Sequence, residues 1–135
     1  MTVRKTKKYF EGVGRRKSSV ARVRVEEDKK SQILVNEKEA KIFFPEEEHL
    51  SLVTAPLRAI GTDGQFFISI HVCGGGKRGQ AEAIKMGLSR ALVKLNGDFH
   101  RILRDLDYLR RDPREKERKK PGLKKARRAP QFAKR

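Results

Sequence analysis

Gly74–Leu95, GGGKRGQAEAIKMGLSRALVKL, is the stretch whose reading decides the fold. A glycine loop carrying Lys77 and Arg78 runs into a helix whose Ala81, Ile84, Leu88, Ala91, Leu92 and Leu95 recur at helical spacing. One face of that helix is expected in the core. Gly74, Gly75 and Gly76 permit tight or positive-φ backbone, and a helix start leaves N–H groups unpaired at the positive end of the dipole. The loop through Gly79 is therefore a candidate anion site, reinforced by two cations.

Working outward, Phe66, Ile68, Ile70 and Val72 alternate with Phe67, Ser69, His71 and Cys73, the clearest strand of the chain. Earlier, Ala21, Val23 and Val25 alternate with Val20, Arg22 and Arg24, a second strand with arginines on its other face. Tyr9–Gly14 leads into Arg15, Arg16 and Lys17, which read as a turn ringed with cations. Gln32–Val35 is a short strand closed by Asn36, and Glu37–Phe44 is ambiguous. Pro45 with Glu46, Glu47 and Glu48 suits a helix start, with Leu50, Leu52 and Val53 turned inward and Pro56 expected to end or kink it. Gly61, Asp63 and Gly64 signal a turn.

After the organising helix, Asn96 and Gly97 signal its end. Asp98 can cap a further helix with Phe99, Ile102, Leu103 and Leu106 as its apolar stripe. Asp112, Pro113 and Glu115 have the spacing of a cap, a first turn and a capping-box partner. Yet Asp112–Lys120 offers no apolar residue to dock such a helix, so this end is expected to order only on a partner.

Charge narrows the function. The 135 residues carry a formal net charge of +17, and 38% are charged against ~25% for an average globular protein. Met1–Val25 holds nine Lys/Arg and one acid, and Arg110–Arg135 holds thirteen and three, whereas Glu26–Leu109 sums to −1. A nearly neutral body between two basic ends costs self-repulsion, which a polyanion converts into binding through counterion release. Nucleic acid is the expected partner, with Tyr9, Phe10 and Phe132 available for stacking.

The other classes fit less well. Cys73 is single, so no internal disulfide forms and a reducing, cytosolic compartment is expected. No apolar run approaches the ~20 residues of a membrane span and the N-terminus has no h-region, while its basic character leaves a mitochondrial presequence open although Met1–Lys8 is short and lacks an amphipathic pattern. Gly74, Gly76 and Gly79 match G-x-G-x-x-G, but the chain after the helix turns into another helix instead of a second parallel strand. A P-loop would need Lys and Ser/Thr where Gln80 and Ala81 stand. His71 and Cys73 share a strand face, while His49 and His100 are scattered, so no zinc set has the right spacing. No nucleophile is paired with a base, and neither enzymatic activity, a cofactor nor a small-molecule substrate is expected. A free basic RNA- or DNA-binding protein of chaperone or histone-like type is the composition-level alternative.

The blocks GVGRRKSSVARVRV, GGGKRGQAEAIKMGLSRAL and RRDPREKERKKPGLKKARRAPQFAKR together resemble the small-subunit ribosomal protein nine family. They occur in the right order over nearly the whole chain, and residues 26–63 resemble it least. The resemblance implies an α/β (α+β) fold: a four-stranded sheet with helices on one face, a left-handed βαβ crossover and a long extended basic C-terminal tail. The expected division is a basic N-terminal segment at 1–8, a globular RNA-binding domain at 9–109 and the tail at 110–135. It implies a structural constituent of the ribosome, cytoplasmic or organellar, with small-subunit ribosomal RNA, P-site tRNA and neighbouring ribosomal proteins as partners. The tail would thread toward the anticodon stem-loop, where Lys134 and Arg135 touch the tRNA. Lys124, Lys125, Arg127 and Arg128 would neutralise ribosomal RNA on the way, with Arg118, Lys119 and Lys120 before them. The remaining expected ribosomal RNA contacts are Arg15, Arg16, Lys17, Arg22, Arg24 and the loop Gly74, Gly75, Gly76, Lys77, Arg78 and Gly79. Ala133 replaces the serine common before the last Lys-Arg pair, and Lys77 and Arg78 are more basic than the family's usual residues there.

Overall fold

The computed structural model describes residues 8–28, 30–61, 66–115, 117–129 and 131. Alternating side chains build strands β1 (Phe10–Arg16), β2 (Ser19–Glu27), β3 (Gln32–Val35), β4 (Lys38–Glu39) and β5 (Phe66–Cys73). Helices α1 (Ala40–Phe43) and α2 (Glu47–Ile60) connect β4 to β5, and α3 (Lys77–Leu95) and α4 (Phe99–Asp105) follow. The sheet order is β1-β2-β5-β3-β4, antiparallel except for the β3/β5 pair.

The sheet thus has five strands where four were expected. The extra one is a two-residue hairpin arm: Asn36 and Glu37 both take positive φ, 48° and 68°, and Val35 pairs with Lys38 across them. Asn36 does more than close β3. Its Nδ2 donates to Val72 O and its Oδ1 accepts from Val72 N, both at 2.9 Å, while its own N–H donates to Ile70 O. The side-chain amide continues the β3/β5 ladder where β3 has turned away.

Two further boundaries shift. Residues 10–16 form β1, because they pair with β2 as far as Arg16 opposite Ser19, and the turn tightens to Lys17 and Ser18 with Lys17 at φ 53°. α2 runs past Pro56, which is buried, and ends at Gly61 in the left-handed region. Two side chains of the helix also bond to its own carbonyls: Thr54 Oγ1 donates to Leu50 O at 3.0 Å, and Arg58 Nη2 to Ser51 O at 2.7 Å. Asp63 and Gly64 of the expected turn lie outside the described residues.

α3 holds the body together. Instead of one buried face it is enclosed on most sides, with Ala81, Ala83, Ile84, Met86, Gly87, Leu88, Ser89, Ala91 and Leu92 all buried. Ile84, Leu88 and Leu92 join Val23, Val25, Val53, Ile68 and Leu103 in the main core. The small residues Ala83, Gly87 and Ala91, four apart, form a stripe that meets β1 where that strand carries Gly12 and Gly14. A Cβ on Gly14 would collide with Ala83 O and Gly87 N, and one on Gly12 with Gly87 O and Ala91 N. Helix and strand backbones are therefore in direct contact.

α4 is shorter than its apolar stripe suggested. Leu103 is buried and Phe99 partly so, but Ile102 and Leu106 are exposed, since a seven-residue helix touching α2 and α3 buries only its 99/103 face. Asp98 occupies the N-cap without a side-chain cap bond, and Asn96 Oδ1 accepts from its N–H instead. The helix ends in a Schellman arrangement: Asp107 takes φ 59° and donates to Arg104 O, and Tyr108 N–H donates to Leu103 O.

Candidate nucleic-acid interface

All helices pack on one face of the sheet, so the other face carries its outward residues uncovered. Across the strands the register aligns Val13, Arg22 and His71 in one row, Glu11, Arg24 and Ser69 in a second, and Arg15, Val20 and Cys73 in a third. His71 and Cys73 are exposed here, and no group of three potential metal ligands occurs among the described residues. Arg24 is partly occupied, 3.7 Å from Glu11 and 4.8 Å from the Tyr9 ring centroid. Arg15, Lys17 and Arg22 are exposed and make no ion pair among the described residues.

Strand geometry divides the expected Arg15–Arg16–Lys17 cluster. Positions 12, 14 and 16 of β1 point toward α3, so Arg16 continues the glycine seam inward while Arg15 faces out. Arg16 Nε pairs with Glu82, and its Nη1 lies 3.2 Å from Asp112 Oδ1 and donates to Arg114 O at 2.9 Å. With its side chain 11% exposed, Arg16 fastens the C-terminal segment to α3 and is not open for an external phosphate.

At the glycine loop, Gly74 and Gly75 take φ 79° and 62°, Gly76 is the N-cap, and Lys77, Arg78 and Gly79 already belong to α3. Buried Ser19 donates Oγ to Gly74 O at 2.9 Å, and Gln80 Nε2 donates to the same carbonyl at 3.1 Å. The two cations turn to protein partners. Lys77 Nζ sits 3.5 Å from the Phe43 ring centroid and donates to Phe43 O, while Arg78 meets Glu48 at 3.1 Å and Glu82 at 3.6 Å. Arg78 and Glu48 are both largely exposed, so that pairing contributes little to stability.

Beyond Arg110 the described residues contain no helix or strand, and the capping-box helix is absent. Asp112 Oδ1 instead accepts from Arg114 N–H at 3.0 Å, an Asx-type turn, and its carboxylate takes the Arg114 guanidinium side-on. That guanidinium is the main reason the Asp112 carboxyl is held down at about 2; the Arg114 N–H and the charge on Arg16 act in the same direction. Farther on, Glu117 pairs with Lys120 and with Arg127 at 2.8 Å, while Arg118, Lys119, Lys124, Lys125 and Arg128 remain exposed. Lys134 and Arg135 lie outside the described residues.

A cleft of about 510 Å³ opens where β1, α3 and the start of this segment meet. Lys85, Tyr108, Arg110 and Arg111 line it beside Arg15 and Arg114. None of the first four stood out in the sequence, because the Schellman turn after α4 is what carries residues 108–111 to α3. The only forewarning was Lys85, a cation set among apolar helical positions.

No helix among the described residues is long and apolar enough to cross a membrane. The family described as Ribosomal protein S9/S16 matches residues 14–135, from the middle of β1 to the last residue. The chain belongs to that family, whose members are structural rather than enzymatic, and is a ribosomal protein of the small subunit that serves in translation.

Proposed function

We propose that the chain anchors to small-subunit ribosomal RNA in the head through its uncovered sheet face and the β1–β2 turn, and that residues 110–135 run on as a tail into folded RNA. Arg15, Lys17, Arg22 and Arg24 hold phosphates beside the body. Arg118, Lys119, Lys120, Lys124, Lys125, Arg127 and Arg128 neutralise phosphates along the tail, and Lys134 and Arg135 reach the anticodon stem-loop of P-site tRNA. The loop Gly74–Gly79 contributes backbone N–H groups, with Lys77 and Arg78 released from Phe43 and Glu48 when RNA supplies the stronger charge. The observation that carries this reading is the division of charge, +8 and +10 at the ends against −1 between them, in a chain whose family is ribosomal. Neighbouring ribosomal proteins complete the assembly.

The test is fractionation of small subunits before and after a salt wash, with binding to ribosomal RNA fragments followed against salt. One copy per subunit, retained through the wash, is expected. If about ten phosphates are neutralised, log K falls against log salt with a slope of roughly −7 to −9. Substoichiometric protein in light fractions, or a slope near zero, overturns the reading.

A further inference from the structure

We propose that the cleft between β1, α3 and the residues following α4 receives one unpaired nucleotide of an RNA strand. Its phosphate lies on Arg15, Arg110 and Arg111, and its base lies against the ring of Tyr108. The proposal rests on the reading of this chain as an RNA-binding ribosomal protein and adds to it a defined subsite.

Volume and charge both fit. At about 510 Å³ the cleft lies within the usual span of small-ligand sites, roughly 300–1,000 Å³. Six cations and three acids line it, and two of the acids are already spent. Glu82 is held by Arg16 and Arg78, and Asp112 by Arg16 and Arg114. Arg15, Arg110 and Arg111 have no ion-pair partner among the described residues, so the cleft keeps an uncompensated positive charge suited to a phosphate.

Tyr108 gives the site its preference for a nucleotide over a bare anion. The turn after α4 holds it half-buried, with Lys85 Nζ 5.1 Å from its ring centroid. An aromatic ring flanked by cations offers a base a stacking surface while the neighbouring guanidinium groups take the phosphate. A paired base keeps its faces inside the duplex stack, so only a splayed-out nucleotide can use the ring.

The test is ultraviolet crosslinking of intact small subunits containing the full-length chain, with nucleotide adducts mapped on its peptides by mass spectrometry. An adduct is expected on Asp105–Arg110, which carries Tyr108, together with adducts on the 118–128 segment. Tyr108→Phe should keep the first adduct, and Tyr108→Leu, which preserves apolar packing, should lower it about tenfold, the size of one base–aromatic stack. Adducts on 118–128 with none on Asp105–Arg110 overturn the cleft site and leave the RNA-binding reading standing. Adducts nowhere on the chain sink both. Saturable binding of ATP to the isolated chain, lost in Tyr108→Leu and unaccompanied by an RNA adduct at Tyr108, would assign the cleft to a free nucleotide and overturn the proposal as well.

Discussion

The two sets of glycines around α3 are used in different ways. Gly74 and Gly75, conspicuous as a run, serve backbone conformation first: both take positive φ, a Cβ there would also meet Ser18 O or Ser19 Oγ of the adjoining turn, and the next residue, Gly76, has open space around its missing Cβ. Gly12 and Gly14, isolated in a strand, serve space: their φ is unexceptional, but a side chain on either would enter the backbone of α3. A glycine required by torsion can be spotted from its neighbours, whereas one required by proximity is visible only once its distant partner is in place. The seam also changes character along its length. Where the glycine contact ends, β1 and α3 are joined by the Arg16–Glu82 pair, and the C-terminal segment is attached at that charged end.

The strongest break is Gly14→Ala. Its methyl meets main chain on a buried helix, which cannot swing aside, so a loss of about 3 kcal/mol is expected in urea denaturation. An unchanged midpoint would mean that α3 shifts freely on the sheet. Gly75→Ala combines left-handed strain, about 1–2 kcal/mol, with a collision against Ser19 Oγ. In a Ser19→Ala background only the strain should remain, and a double-mutant cycle showing no coupling would separate Ser19 from that restriction. Gly76→Ala, with φ −92° and nothing near its Cβ, should cost under about 1 kcal/mol from capping preference alone.

The smallest effect belongs to the charged end. Because the Asp112 carboxyl is depressed from 3.8 to about 2, its contribution is complete above 3.8 and lost as pH falls through about 2. Carboxyl NMR shifts should show Asp112 still mainly ionised near about pH 3, and Arg114→Gln should raise its midpoint toward the ordinary carboxylate value. A midpoint unmoved by that substitution would show that Arg114 does not hold the carboxyl.

Much of the body was legible because its signals are local. The alternation in Phe66–Cys73 and Ala21–Val25 marked two central strands and their buried faces, and the periodicity of residues 81–95 marked α3. Pro56 was expected to end or kink α2 and does not end it: its ring is buried and the helix runs on to Ile60. At Asp112 the lack of an apolar face outweighed the capping-box spacing, as expected from the sequence, and the carboxylate took the nearest N–H and guanidinium instead. Of the candidate interface, the exposed arginines of β2 were readable from alternation. The split between Arg15 and Arg16 was not, since it required knowing that their turn was a strand.

By itself the sequence determined the class of fold, the basic ends framing a neutral body and the ribosomal family, because composition, periodicity and block order are carried by neighbouring residues. Only the tertiary structure decided which cations remain open. Arg16, Lys77 and Arg78 are taken up by Glu82, Phe43 and Glu48, residues 66, 34 and 30 positions away. It also decided that two isolated glycines bring β1 against the backbone of α3 and that Tyr108 is brought to Lys85. Steric exclusion and ion pairing act over a few ångströms of space, and a linear chain does not display which of its residues will share them.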